Sequence, residues 1–196
     1  ITDDSFHAFG LEVELWRIGD SPPAPKFNVV AQPNEWVKQA KETRAATATT
    51  DADRLKLDFW EGFAEHMASK RSTFRTPKLN RAWNWHSWGL GRSYFQLAAS
   101  VNVRDGVNAV WINIAGPDVE AHYRLLQAEQ ATLESDLGCK LEWEAGEKER
   151  KIIVRRQGDT TDRSQWPVQY AWLLDTMKAF DRVFRARIKK LDAATW

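Results

Sequence analysis

Metal-dependent nuclease chemistry needs carboxylates that hold Mg²⁺ and a lysine that positions the attacking water. Two stretches of the sequence match that requirement as text: Pro117-Asp118 and the acid-x-Lys triplet Glu149-Arg150-Lys151. However, Asp118 also suits the first turn of a helix, and Glu149 falls at the tip of a predicted hairpin rather than in the centre of a sheet. We therefore assign no catalytic residue and keep a metal-dependent nuclease as the last of three hypotheses.

The other reactive side chains are too scattered to form a site. The four histidines lie in different predicted elements, without the spacing of a zinc site: His7, His66, His86 and His122. Cys139 has no second cysteine to pair with. The glycine pair 89–91 is too short for a loop that binds the phosphates of a nucleotide. The sequence therefore predicts no metal site and no cofactor.

The remaining candidate site combines basic and aromatic residues. Arginine and lysine bind phosphates, and aromatic rings stack on bases. We predict that nucleic acid is contacted by Arg75, Lys78, Arg81, Trp85, Arg92 and Trp111. The alternative explanation is a solvated basic loop beside a tryptophan-rich core, which the small net charge of the chain favours.

The composition limits the class of protein. The chain has 196 residues, 43% of them hydrophobic, and a net charge of +1, so no global field draws it onto nucleic acid or membrane. It has no apolar run of about 20 residues, the length of a membrane span, and its start does not resemble a signal peptide. We expect a cytoplasmic protein without a membrane partner. Because the sequence lacks an initiator methionine, we also expect it to be the C-terminal part of a longer protein.

A β-hairpin is predicted to organise the fold. The sequence 83–115 begins with a Trp-rich segment and then alternates about Asp105-Gly106, a dipeptide that favours a two-residue type I′ turn. A turn there predicts three apolar cross-strand pairs: Val101 with Val110, Ala99 with Ile112, and Leu97 with Ile114. One face of the hairpin is therefore expected to lie in the core, and the other to be solvated or in contact with a partner.

The remaining periodicity predicts an α+β fold. Helical spacing predicts helices over 52–70, 118–137 and 166–191, and alternation predicts a second hairpin from 140–145 and 148–157. We expect an antiparallel β-sheet built from two hairpins with three helices packed mainly on one face. Alternation over 6–18 and 26–31 adds an N-terminal two-strand extension. The low-hydrophobicity segment predicts a linker at 37–51, between terminal strands at 1–36 and an α+β C-terminal domain at 52–196.

Several stretches resemble known families. The stretch at 9–36 is FGLEVELWRIGDSPPAPKFNVVAQPNEW, which resembles the closing strands of a restriction-endonuclease-like domain of the NucS kind. Four further stretches, FWEGF, LGRSYFQLAASVNVRDG, LEWE and QWPVQYAWLLD, resemble an uncharacterised bacterial domain family that follows such nuclease-like domains. The resemblance implies that catalytic residues belong to an upstream part of the protein, and that this chain works beside nucleic acid in DNA processing or phage defence.

Three hypotheses follow. The first is a non-catalytic accessory domain of a bacterial nuclease-like protein that binds or positions nucleic acid. The second is a protein-interaction or dimerisation module, with a homodimer formed through the N-terminal strands. The third is the metal-dependent nuclease at Asp118, Glu149 and Lys151.

Overall fold

The computed structural model describes residues 10–16, 24–31, 50–79 and 81–196. The chain divides into two compact units, Ile1–Thr47 and Ala48–Trp196. Residues 37–49 of the predicted linker lie outside the described residues, as do the two ends of the predicted strand 6–18.

The first unit contains a two-stranded antiparallel sheet, which confirms the predicted N-terminal extension. Its strands are β1 (Gly10–Trp16) and β2 (Ala24–Ala31), and Glu12 lies opposite Asn28.

The second unit has the predicted α+β fold. Its elements follow one another as α1 (Asp51–Ser69), β3 (Trp85–Gly89), β4 (Phe95–Asn102), β5 (Val107–Ile114), α2 (Val119–Ala128), α3 (Gln130–Leu137), β6 (Glu142–Ala145), β7 (Arg150–Gln157) and α4 (Trp166–Lys190). The five strands form one antiparallel sheet in the order β3-β4-β5-β7-β6. The two predicted hairpins therefore join through β5 and β7. The Trp-rich segment supplies β3, at one edge of the sheet.

The two faces of the sheet differ as the alternation predicts. On β4, Phe95, Leu97, Ala99 and Val101 are buried in the core that also contains the apolar residues of the helices. The opposite face, which we call the polar face, carries Trp85, Ser100, Asn102, Trp111, Lys151 and Arg155. These polar and charged side chains of the sheet therefore lie on the face opposite the helical core.

The helices begin where local hydrogen bonding favours them. The Thr50 hydroxyl accepts a hydrogen bond from the backbone N–H of Asp53 at 3.1 Å, which caps the first turn of α1. Pro167 occupies the first turn of α4, where its missing N–H leaves no hydrogen bond unmade. Among the described residues, no helix is long and apolar enough to cross a membrane.

The predicted register of the first hairpin is wrong by two residues. Ala99 lies opposite Val110 and Leu97 opposite Ile112, and the connection is the four-residue loop 103–106 instead of a two-residue turn. The side-chain oxygen of Asn102 accepts hydrogen bonds from the backbone N–H groups of Arg104 and Asp105, both at 3.1 Å, and holds this longer loop. A shift of two residues keeps every side chain on its predicted face.

The single helix predicted over 118–137 is two helices, α2 and α3, which meet at Glu129. The two packing partners explain the break: α2 contacts β5 and β7, whereas α3 contacts α4. One straight helix could not follow both surfaces. The Glu134 carboxylate then accepts hydrogen bonds from the Lys140 ammonium and the Leu141 backbone N–H, which ties α3 to the start of β6.

Candidate functional site

A cleft of about 460 Å³ lies between the loop that precedes β3 and β3 itself. We call it the basic cleft. It is lined by Arg75, Thr76, Pro77, Lys78, Arg81, Trp83, Trp85, His86, Ser87 and Trp88. The structure therefore brings together four of the six residues that the sequence nominates: Arg75, Lys78, Arg81 and Trp85.

Two buried indoles fix the loop that carries the cations. The Trp88 indole N–H donates a hydrogen bond to the backbone carbonyl of Arg75 at 2.6 Å. The Trp60 indole N–H donates to the carbonyl of Trp83 at 3.0 Å. Because both bonds engage the backbone, the charged side chains of this loop remain exposed to solvent.

The basic cleft carries positive charge without local compensation. Among the ion pairs formed by described residues, none involves Arg75, Lys78 or Arg81. The sequence explains this, because residues 66–104 contain seven lysines and arginines and no aspartate or glutamate. Unpaired, exposed cations attract an anionic ligand more strongly than cations already bound to carboxylates.

His86 forms a neutral wall of the basic cleft. Its ring packs at 4.6 Å from Trp60 in an edge-on arrangement, and its Nε2 is buried without a hydrogen-bond partner. Burial lowers the pKa of His86 to about 4, so the ring is uncharged at neutral pH. The positive charge of the cleft therefore comes from its arginines and lysine alone.

Three indole rings follow one another from the basic cleft onto the polar face. We call Trp83, Trp85 and Trp111 the tryptophan row. The Trp83 and Trp85 ring centroids are 6.2 Å apart, and those of Trp85 and Trp111 are 6.3 Å apart. Trp83 and Trp85 are 42% and 44% exposed, which is unusual for so large an apolar side chain, whereas Trp111 is half-buried.

A second cleft, of about 410 Å³, surrounds Trp111 on the polar face. We call it the polar-face cleft. The Lys151 ammonium lies 5.9 Å from the centre of the Trp111 ring, and Ser100 and Asn102 also line the cleft. Arg155 forms ion pairs with Glu142 and Glu144 of the neighbouring strand β6.

Arg92 lies away from the basic cleft. Its guanidinium donates hydrogen bonds to the carbonyls of Ile188 and Leu191, both at 2.7 Å, and contacts the ring nitrogen of His122 at 3.1 Å. These bonds satisfy carbonyls at the C-terminal end of α4. The structure thus gives Arg92 partners within the fold and separates it from the other nominated cations.

The described residues contain no group of three or more His, Cys, Asp or Glu side chains that could hold a metal ion. Asp118 precedes α2, whose Glu120 binds Arg150 on the helical side of the sheet. Lys151 lies on the polar face. Glu149 and Lys151 of the acid-x-Lys triplet form an ion pair at 3.3 Å, which does not include Asp118.

Sequence reasoning missed Trp83 and Lys151 as members of these clefts. Trp83 stands two residues before Trp85 in a segment without a clear period, so its exposure could not be read from alternation. The contact of Lys151 with Trp111 depends on the pairing of β5 with β7, which the two separate hairpin patterns do not specify.

Comparison with family models decides the classification. Residues 55–188 match the family described as "Domain of unknown function (DUF4268)". The chain belongs to this family. The match supports the resemblance to an uncharacterised domain family. It does not include residues 9–36, which carry the resemblance to nuclease-like strands.

Two other comparisons add no functional argument. The comparison with curated proteins gives no match. A solved structure entitled "Crystal Structure of the ExsC-ExsE Complex" is similar at 14% identity and a TM-score of 0.32, over 67% of this chain and 91% of that chain. A score this low supports no conclusion about fold or function.

Proposed function

We propose that this DUF4268 chain is a non-catalytic accessory part of a bacterial nuclease-like protein and that it binds or positions nucleic acid. The observation that carries the proposal is the basic cleft, where Arg75, Lys78 and Arg81 are exposed and lack carboxylate partners among the described residues. Exposed indoles stand beside these cations, which is the combination that binds phosphates and bases together. The nuclease-like setting rests on the resemblance of the N-terminal strands.

The test is a fluorescence-anisotropy titration of labelled DNA and RNA at several salt concentrations. The triple variant R75A/K78A/R81A is expected to lose affinity by on the order of 10- to 100-fold. Its dependence of log K on log salt should be shallower by about 2, because about 0.7 counterion is released per phosphate contact on a single strand.

The matched control removes three exposed cations elsewhere. The variant R182A/K189A/K190A loses the same charge from α4, outside the basic cleft. It should bind with nearly the affinity of the unmodified chain. Equal losses in the two triple variants would reduce the effect to net charge and contradict the proposed site, as would full affinity in R75A/K78A/R81A.

A second candidate function is a homodimerisation module, favoured by the first unit. Within the described residues, β1 and β2 pair only with each other, so each strand has one outer edge. Such edges are templates for pairing with another chain, and a two-stranded sheet alone is marginally stable. Light scattering on the full chain should then show a dimer; a monomer at high concentration would contradict this candidate.

A further inference from the structure

The proposed function uses the basic cleft and assigns no role to the polar-face cleft. Trp111 lies on the face of the sheet opposite the helical core, yet it carries a cation above its ring and borders a cleft large enough for a small planar group. The two clefts are joined through one residue, because Trp85 lines the basic cleft and its ring centre lies 6.3 Å from that of Trp111.

The rings of the tryptophan row favour an unpaired strand over a duplex. In a duplex the faces of the bases are stacked on neighbouring bases and cannot stack on a protein side chain. An extended single strand exposes those faces, and successive bases can occupy successive rings. The spacing of 6.2 and 6.3 Å between ring centres leaves the three indoles as separate platforms instead of one continuous stack.

The charges of the two clefts differ. The basic cleft contains three cations without carboxylate partners among the described residues. The polar-face cleft is lined by Lys151 and Arg155 together with Glu144 and Asp105, so its charges balance. The basic cleft is therefore suited to phosphates, and the polar-face cleft to a base, whose face can stack on Trp111 and whose edge can bond to the Ser100 hydroxyl.

We propose that the protein binds single-stranded nucleic acid, with the phosphates in the basic cleft and the bases stacked along the tryptophan row from Trp83 to Trp111. The proposal rests on the proposed function and specifies its ligand. DNA and RNA strands share this chemistry.

The experiment measures the affinity of the full chain for labelled oligothymidine and oligouridine, for a duplex of equal length and for an abasic strand. Single strands of about 4 to 16 nucleotides cover the range of site sizes known for such surfaces. The unmodified chain is expected to bind single strands at least about tenfold more tightly than duplex. The DNA and RNA arms show which of the two strands it prefers.

The variant W111A isolates the polar-face cleft. It should lose about five- to one-hundredfold in affinity for base-containing single strands, as is typical for removal of one stacking platform. Its salt dependence should be unchanged, because no phosphate contact is lost. Its affinity for the abasic strand should also be unchanged. The control W196A removes a tryptophan that is 66% exposed and lines neither cleft, and should have no effect.

Two further measurements keep the test independent of folding. The variant W111Y retains an aromatic platform and should retain most of the affinity. Ultraviolet crosslinking of the unmodified chain to a single strand, followed by peptide mapping, should label the peptides that contain Trp85 and Trp111.

The outcomes separate the two proposals. If no nucleic acid binds at low salt, the proposed function and this inference both fail. If duplex and single strands bind with equal affinity and W111A does not change the affinity, the inference fails while the proposed function stands. If poly-glutamate competes as well as the oligonucleotide and its binding depends on Trp111, the surface serves an acidic protein segment and the inference is overturned.

Discussion

His86 is the clearest titrating group of the basic cleft. Its folded pKa is about 4 because of burial, against 6.5 for an exposed histidine. Between pH 6.5 and 4, His86 is protonated in the unfolded chain but stays neutral in the folded protein. The free energy of unfolding should therefore fall as the pH falls through this range. The full shift corresponds to about 3–4 kcal/mol. Because the ring is partly exposed, we expect about 1–2 kcal/mol.

The variant H86F tests this expectation by urea denaturation followed through tryptophan fluorescence. Its free energy of unfolding should depend less on pH than that of the unmodified chain between pH 5 and 6.5. Some dependence should remain, because burial also lowers the pKa values of His66 and His122. Parallel pH profiles for the two proteins would show that His86 does not cause the loss.

Residue types predicted part of the candidate site. Arg75, Lys78 and Arg81 could be predicted from the sequence because they lie in a short basic loop directly before the tryptophan-rich segment. The partners of Arg92 could not be foreseen, since its hydrogen bonds reach residues 96 and 99 positions away in sequence. A contact of that range depends on how α4 packs against the sheet, and no local pattern reports it.

At the scale of elements, faces were predictable and register was not. The alternation of Leu97, Ala99 and Val101 predicts that they lie in the core, and a register shift by an even number of residues does not change that face. The Asp-Gly pair favoured the short turn, but the hydrogen bonds to Asn102 stabilise the four-residue loop. Glutamate at position 129, unlike glycine or proline, does not indicate the end of a helix. The division of the predicted helix 118–137 follows from the different packing partners of α2 and α3.

Two glycines at element ends make a matched pair. Gly116 and Gly138 have φ values of +85° and +70°, so alanine at either position should cost about 1 kcal/mol of conformational strain. They differ in surroundings: a Cβ on Gly116 would lie 2.6 Å from Cγ of Tyr94, whereas one on Gly138 would meet no atom within 4 Å. We expect G116A to destabilise by about 1–3 kcal/mol more than G138A in urea denaturation.

A double-mutant cycle identifies the source of that difference. In a Y94A background the extra cost of G116A should largely disappear, because the ring that the new methyl group meets is gone. The cost of G138A should be the same in both backgrounds. An extra cost of G116A that persists without the Tyr94 ring would assign it to the backbone alone.

At the scale of the whole molecule, net charge conceals the feature that carries the proposed function. The total of +1 suggested indifference to polyanions. The seven cations of residues 66–104 are balanced by carboxylates elsewhere in sequence, such as Glu142 and Glu144, which are bound to Arg155. Affinity for an anionic strand depends on the local field of the basic cleft, so the overall balance predicts solubility better than it predicts partners.

The second unit should fold without the first. Every residue of the described buried core lies between Leu57 and Ile188, within the compact unit Ala48–Trp196. A fragment of residues 48–196 should therefore unfold cooperatively in a thermal melt followed by circular dichroism. Its Tm should lie within about 4 °C of that of the full chain, the shift that about 1 kcal/mol produces in a domain of this size.

The fragment should also retain the affinity of the full chain for single-stranded DNA, because both clefts are built from residues 75–155. If the fragment is folded but binds more weakly, the first unit contributes to the interface. If its Tm falls by much more than the stated margin, the first unit contributes to the stability of the second. Loss of dimerisation in a fragment that keeps its affinity would instead assign self-association to the N-terminal strands and strand binding to the α+β unit.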